Sequence, residues 1–209
     1  MSQSSNTAHF SLQIPGVCND FKVLAFDGTE AISSLYAIRV ELVSEYPDFD
    51  LESLLSQPAF LQFGLNGEGI HGYIDGVRAD DVGKRLNRYQ LILVPALHYL
   101  QFSRDQRIFQ GQTVPKIIAR VLKAHGIQAD AFTFNVSASP EREYCTQYGE
   151  NDFEFVQRLC AEDGIAWHHQ HSRDSHVLVF TDGQTFFPTL GETPYQQDAG
   201  MLAEHSVIS

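Results

Sequence analysis

Little in this sequence would carry it into a membrane or onto nucleic acid. Its opening, MSQSSNTAHFSLQI, has neither a basic n-region nor an apolar h-region, and no later segment reaches roughly eighteen apolar residues. The expectation is a protein made in the cytoplasm and soluble there, whose export would use a route that reads no N-terminal signal. Lys and Arg are scarce, 14 against 26 Asp and Glu, and the net charge of -12 would repel a phosphate backbone. The densest basic patch, GKRLNR at 83–88, reads as a hairpin turn. Cys18, Cys145 and Cys160 are odd in number and lack CxxC spacing, which argues against a disulfide framework and a thiolate zinc site. There is no GxSxG elbow, P-loop, HExxH or HxxEH, and the glycine-rich GLNGEGIHG lies inside a hairpin pattern rather than ahead of a helix. Internal repeats and low-complexity linkers are absent too.

What is present points to strands. Fifteen Phe and eight Tyr in 209 residues favour a β-rich globular protein, at the border between one large domain and two small ones. FKVLAFDGTEAI alternates and carries an Asp27-Gly28 turn; LYAIRVELVSE sets Leu35, Ala37, Arg39 and Glu41 against Tyr36, Ile38, Val40 and Leu42. PDFDLESLL interrupts with a short helical turn, Asp50 its cap and Leu51, Leu54 and Leu55 on one face. Strands resume in AFLQFGLNGEGIHGYIDGVRAD and LNRYQLILVPAL, with Asn66-Gly67 the clearest hairpin signal. Strands of this number and spacing close into a barrel or stack as a sandwich.

Near residue 98 the texture becomes α+β. TVPKIIARVLKAHGI predicts a helix with Thr113 as cap, Pro115 in the first turn, Val114, Ile117, Ile118, Val121 and Leu122 on one face, and a stop at Gly126. ENDFEFVQRLCAEDG predicts a second, with an Asn151/Glu154 capping box and Phe155, Val156, Leu159 and Cys160 as the apolar stripe. Strands are expected at REYCTQY, IAWHHQH and HVLVFTD. Cys145 on a strand and Cys160 on an apolar face have no acid or base placed beside them by sequence, and His125 reads as a helix-end residue complementing the terminal carbonyls.

GIAWHHQHSRDSH holds four of the nine histidines, His168, His169, His171 and His176. On a strand, Ile165, Trp167, His169 and His171 share a face opposite Ala166, His168 and Gln170. His169 and His171, with His176 across the turn, would make a three-nitrogen set of a kind zinc accepts. The competing reading is a strand with imidazoles where Tyr or Phe would otherwise stand, and binding or assembly is the default over catalysis.

The run Arg142 to Gly183 resembles the VgrG spike proteins of bacterial type VI secretion. Their pattern of Tyr, Glu-Ser/Thr-Asp, an amphipathic helix ending Glu-Glu/Asp-Gly-Ile, an aromatic strand and His-x-Leu-x-Leu-x-Asp appears as Tyr148, Glu150, Asn151, Asp152, Phe155, Arg158, Leu159, Glu162, Asp163, Gly164, Ile165, Trp167, His176, Leu178 and Asp182. RIFQGQTVPKIIARVL and ELVSEYPDFDLESLLSQPAFLQF resemble upstream segments of the same family. The family tends to have Tyr and Phe where this chain has His168, His169 and His171, which leaves room for an acquired pH or metal response.

The resemblance implies an antiparallel β-barrel of the phage tail hub with an inserted α+β region: a first tube domain over 1–97, the α+β region over 98–172, and strands over 173–209 leading into an incomplete second barrel. It implies a homotrimer that caps the hexameric Hcp tube, contacts baseplate components, carries effectors or their adaptors, and meets a membrane only by puncturing it. It implies no catalytic residue, cofactor or nucleic acid, and secretion without a signal peptide. The alternatives are a contractile phage or phage-like tail hub and a metal-dependent hydrolase using His169, His171 and His176. Phe155, Leu159, Ile165 and Trp167 are the expected packing centre of the α+β region.

Overall fold

The computed structural model describes residues 10–17, 20–45, 50–63, 67–82 and 86–183. Six antiparallel strands, β1 (Ser11–Gln13), β2 (Lys22–Asp27), β3 (Ile38–Ser44), β4 (Pro58–Gln62), β5 (Gly69–Val82) and β6 (Asn87–Val94), form one sheet in the order β1-β4-β5-β6-β3-β2. Its edge strands β1 and β2 approach each other, so the sheet curls into a nearly closed barrel. The predicted alternation in β3 holds: Ile38, Val40 and Leu42 are buried in the barrel while Arg39 and Glu41 face out. Register slips in β5 between Ile74 and Gly76 and between Ala79 and Asp81 mark irregularities of the kind that curl a sheet. Asn66 and the 83–85 turn lie outside the described residues, but the β4–β5 and β5–β6 pairings they connect are antiparallel.

Two details differ from expectation around the short turn, a 3-10 segment at Glu52–Leu54. Leu51 occupies the cap, with the Asp50 carboxylate accepting the Ser53 N–H at 3.4 Å, and Leu55 is exposed because the chain becomes extended there. A three-residue 3-10 turn brings one side chain inward, and that one is Leu54.

The second core begins at Leu97 and Leu100, which project from a 3-10 helix (Ala96–Phe102) that the sequence pattern did not disclose. β7 (Arg107–Gln112) and β9 (Arg142–Gln147) form a ribbon, and β10 (Ala166–His171), β11 (His176–Thr181) and β8 (Phe132–Asn135) a small sheet in which β8 runs parallel to β11. β10 and β11 pair from Ala166↔Thr181 to His171↔His176, across residue 172, and so share one sheet. Helices α1 (Val114–Ala124) and α2 (Asp152–Glu162) pack on these strands with the predicted faces inward. Thr113 stands at the cap of α1 but makes no side-chain bond; the Ser139 hydroxyl accepts the Val114 N–H instead, at 3.3 Å. The capping box of α2 is complete in both directions, at 2.8 and 3.0 Å. Both helices stop at a glycine with positive φ, Gly126 and Gly164, and the next N–H returns to the last turn.

Phe155, Leu159, Ile165 and Trp167 are all buried in this core, as predicted, with Phe109 stacked on Phe155. Phe155→Ala is expected to cost about 3–5 kcal/mol, lowering Tm by roughly 6–20 °C for a chain of this size. A differential scanning calorimetry trace with an unchanged transition would contradict this packing.

Candidate functional site

β10 and β11 place His169, His171 and His176 on one face, since His169 and His171 alternate and His176 stands opposite His171. A fourth imidazole joins them from the barrel. Ile70 and Ile74 of β5 pack on the barrel core, so His71 and Tyr73 point the other way, toward the hairpin. The GIHGYI alternation carried that signal, but only a known partner makes it a site. Tyr36 joins the group, its hydroxyl donating to the His71 carbonyl at 2.6 Å and its ring meeting His169, His171 and His176 edge-on.

The β5–β6 ladder ends at Tyr73↔Val94, and two positions further on His71 and Ala96 face each other outside it. Imidazoles supply the missing acceptors. His171 Nδ1 accepts the His71 backbone N–H, and His176 Nε2 accepts the Ala96 N–H, each at 3.2 Å. These bonds set the neutral tautomers. The His171 proton lies on Nε2 and is donated to Glu30 at 2.9 Å; the His176 proton lies on Nδ1 and is donated to His71 Nδ1, also at 2.9 Å. His71 therefore carries its own ring proton on Nε2.

His169 is 7% exposed, and neither ring nitrogen has a hydrogen-bond partner among the described residues; Nδ1 lies 3.8 Å from Glu30. Burial lowers the His71 pKa to about 4, with the neighbouring His171 adding to the shift. Burial and the neighbouring imidazoles lower His169 and His176 to about 3. The hairpin and the barrel enclose a cavity of about 300 Å3 lined by His71, His169 and His176. Among the described residues, no three His, Cys, Asp or Glu side chains gather as a metal would require. The His169/His171/His176 set weighed as an alternative shares a face, but the nitrogens of His171 and His176 are turned to other partners.

A second polar group joins the two motif segments read upstream and downstream of α1. The Asp152 carboxylate is 3% exposed and accepts from Arg107, from Gln147 Nε2 at 2.6 Å and from His125 Nε2 at 2.6 Å. Burial alone would raise its pKa; the donors Gln147, His125 and Arg107 hold it below the ordinary carboxylate value. His125, expected to complement helix carbonyls, instead ties the end of α1 to the start of α2. Glu150, Arg158, Glu162, Arg142 and Asp163 continue outward as an ion-pair chain with links of 2.5 to 2.8 Å. These motif residues organise the fold and present no reacting centre.

The family model of the phage tail baseplate hub (GPD) matches residues 29–209. The chain belongs to this family. Within it, the chain is similar to two Pseudomonas aeruginosa proteins, the type VI secretion system spike proteins VgrG4b and VgrG5. It is 51% identical to VgrG4b over 100% of this chain and 26% of that protein, and 51% identical to VgrG5 over 98% of this chain and 26% of that protein. The chain thus spans about a quarter of the length of these relatives. Among solved structures, the E. coli c3393 protein, described as a component of the type VI secretion system with structural similarity to the T4 tail proteins gp27 and gp5, superposes with a TM-score of 0.80. It is 32% identical, over 86% of this chain and 51% of that one.

Other candidates in this hub chain are structural or surface features. Cys145 and Cys160 are free and buried; burial pushes the Cys160 thiol up to about 12, far from a nucleophile's range. Cys18 lies outside the described residues. Ile108, Tyr144 and Tyr148 are exposed around the outer face of the β7–β9 ribbon. No helix among the described residues is long and apolar enough to cross a membrane.

Asp152→Ala removes the acceptor shared by Arg107 Nη2, Gln147 and His125, while Arg107 Nε keeps Gln147 Oε1 at 2.9 Å and Asp105 at 3.3 Å. The expected loss is about 3 kcal/mol, near the low end for breaking a buried pair because Arg107 stays 21% exposed. Urea denaturation checks it: the wild-type advantage should be present at pH 7 and shrink as pH falls below about 4, the ordinary Asp value.

Proposed function

We propose that this chain forms the first part of a homotrimeric type VI secretion spike hub. In this reading the barrel of residues 1–97 is a tube domain, 98–172 is an α+β region set outside it, and 173–209 leads toward the remainder of the hub. Three copies, each contributing two barrels in the complete protein, make a pseudo-sixfold ring that docks on a hexameric Hcp tube. Contraction of the sheath drives the ring out with its effectors or their adaptors, and the membrane is crossed by puncture. The protein is made in the cytoplasm and assembles on the baseplate. Its role is mechanical, with no catalysis and no cofactor.

The observation that carries the proposal is the 51% identity to secretion spike proteins, which runs along this chain from end to end. It favours the secretion spike over the contractile phage tail hub, which shares the fold. The architecture supports it as well: a curled antiparallel sheet flanked by a separate α+β core suits a ring of tubes with insertions outside. The charge of -12 is consistent with a partner set of proteins rather than nucleic acid.

Sedimentation of the complete spike polypeptide that carries this chain, alone and with Hcp hexamers, tests the assembly. The expected result is one trimer per hexamer. A folded trimer that never binds Hcp would overturn the capping role.

A further inference from the structure

The hub reading does not use the four imidazoles between the barrel and the β10–β11 hairpin, and their geometry holds regardless of what the whole protein docks against. Two of them act as hydrogen-bond acceptors for the His71 and Ala96 N–H groups, where the β5–β6 ladder stops. A protonated imidazole has no acceptor nitrogen. A proton on His176 Nε2 would therefore remove the Ala96 bond that replaces part of the missing ladder.

The surroundings make the second proton costly as well. A proton added to His71 Nδ1 would face the His176 N–H 2.9 Å away, and one added to His169 would have no hydrogen-bond acceptor. The rings lie close together: His71 and His176 have centroids 5.2 Å apart, His169 and His176 5.5 Å. Acids and other ionisable groups are few on every side. The segment between β2 and β3 offers Glu30 and Tyr36, β5 offers Tyr73, β10 adds His168, and the cavity wall brings Asp130 and Asp174. The 3-10 helix contributes the Ala96 N–H, while its own His98 pairs with Asp75.

We propose that this junction is an acid-sensitive latch: protonation of the buried His71–His176 pair releases the β10–β11 hairpin from the barrel while the two hydrophobic cores stay folded. The low pKa values of His71 and His176 set the direction. The released state binds protons more readily than the docked one, so docking is complete above about pH 6.5, the free histidine value, and weakens as pH falls toward the docked values. Each such imidazole lets the opening constant rise by up to about tenfold per pH unit. Four further contacts resist opening, the Ser33 backbone and hydroxyl bonds to Trp167, the Gln157 bond to Ser33 and the Arg173 bond to Gln13, and none contains an imidazole or a carboxylate.

Trp167, the sole tryptophan, sits in β10 with its backbone bonded to Ser33 and its ring edge-on to His169, so its fluorescence reports the junction. The experiment is a titration of the chain from pH 7.5 to 3.5, following Trp167 emission beside the far-ultraviolet dichroism of α1 and α2. The expected result is a change in Trp167 emission at a higher pH than any loss of helix. In the variant His176→Gln the amide oxygen can still accept from Ala96 but does not titrate, and the emission midpoint should fall by at least about one pH unit. In His71→Gln the amide oxygen can still accept from His176, and the midpoint should fall as well. Coincident loss of both signals in the wild type would overturn the proposal. So would a folded His176→Gln variant with an unmoved midpoint; if that variant does not fold, an unmoved midpoint in His71→Gln decides against it.

Discussion

Two backbone N–H groups at the mouth of the barrel shape much of what lies above it. β5 extends beyond the end of β6, and a buried N–H that loses its ladder partner costs more than a hydrogen bond is worth unless something replaces it. His171 and His176 replace both carbonyls at once, which requires the β10–β11 hairpin to sit at one height and one angle over β5. Side-chain acceptors from a separate sheet thereby set the register between two cores. Tyr36 and the Ser33–Trp167 bonds reinforce the placement from the strand connection on the other side.

Inside the α+β core the organising group is the Asp152 carboxylate. Taken out of water it needs several donors, and it finds them on β7, on β9 and at the end of α1. Four elements therefore meet at one side chain, which explains why Arg107 and Asp152 fall in separate motif segments of the sequence. An assembly role makes sense of this division of labour. Strong polar staples hold a rigid body together, while no cluster among the described residues is arranged for a reaction.

Some of this was legible in the residues alone. Both long helices were, because caps, apolar spacing and terminal glycines are local signals. β3, β4, β5 and β6 were, because alternation and hairpin turns report on neighbours in sequence. β7 and β8 were not: each is short, and their partners β9 and β11 lie tens of residues away. The 3-10 helix at 96–102 continued an apolar run that resembled strand. Of the histidines, His169 and His171 were placed on their face by alternation, while His71 drew no attention, its partners lying 100 and 105 positions further on. Thr113 was a reasonable cap by residue type, yet Ser139 took that bond from a distant loop.

The order of residues by itself determined the barrel's strand faces, the two helices and the family to which the chain belongs, since each rests on short-range patterns or on motif order. Only the tertiary structure decided what the histidines do. A His-x-His strand is compatible with a metal site, an aromatic stand-in or a proton-sensitive joint, and the choice depends on which groups the fold turns toward each nitrogen. Here those groups are the His71 and Ala96 N–H donors, Glu30 and a neighbouring imidazole. They come from parts of the chain far from the histidine run, brought together only when the barrel and the hairpin pack.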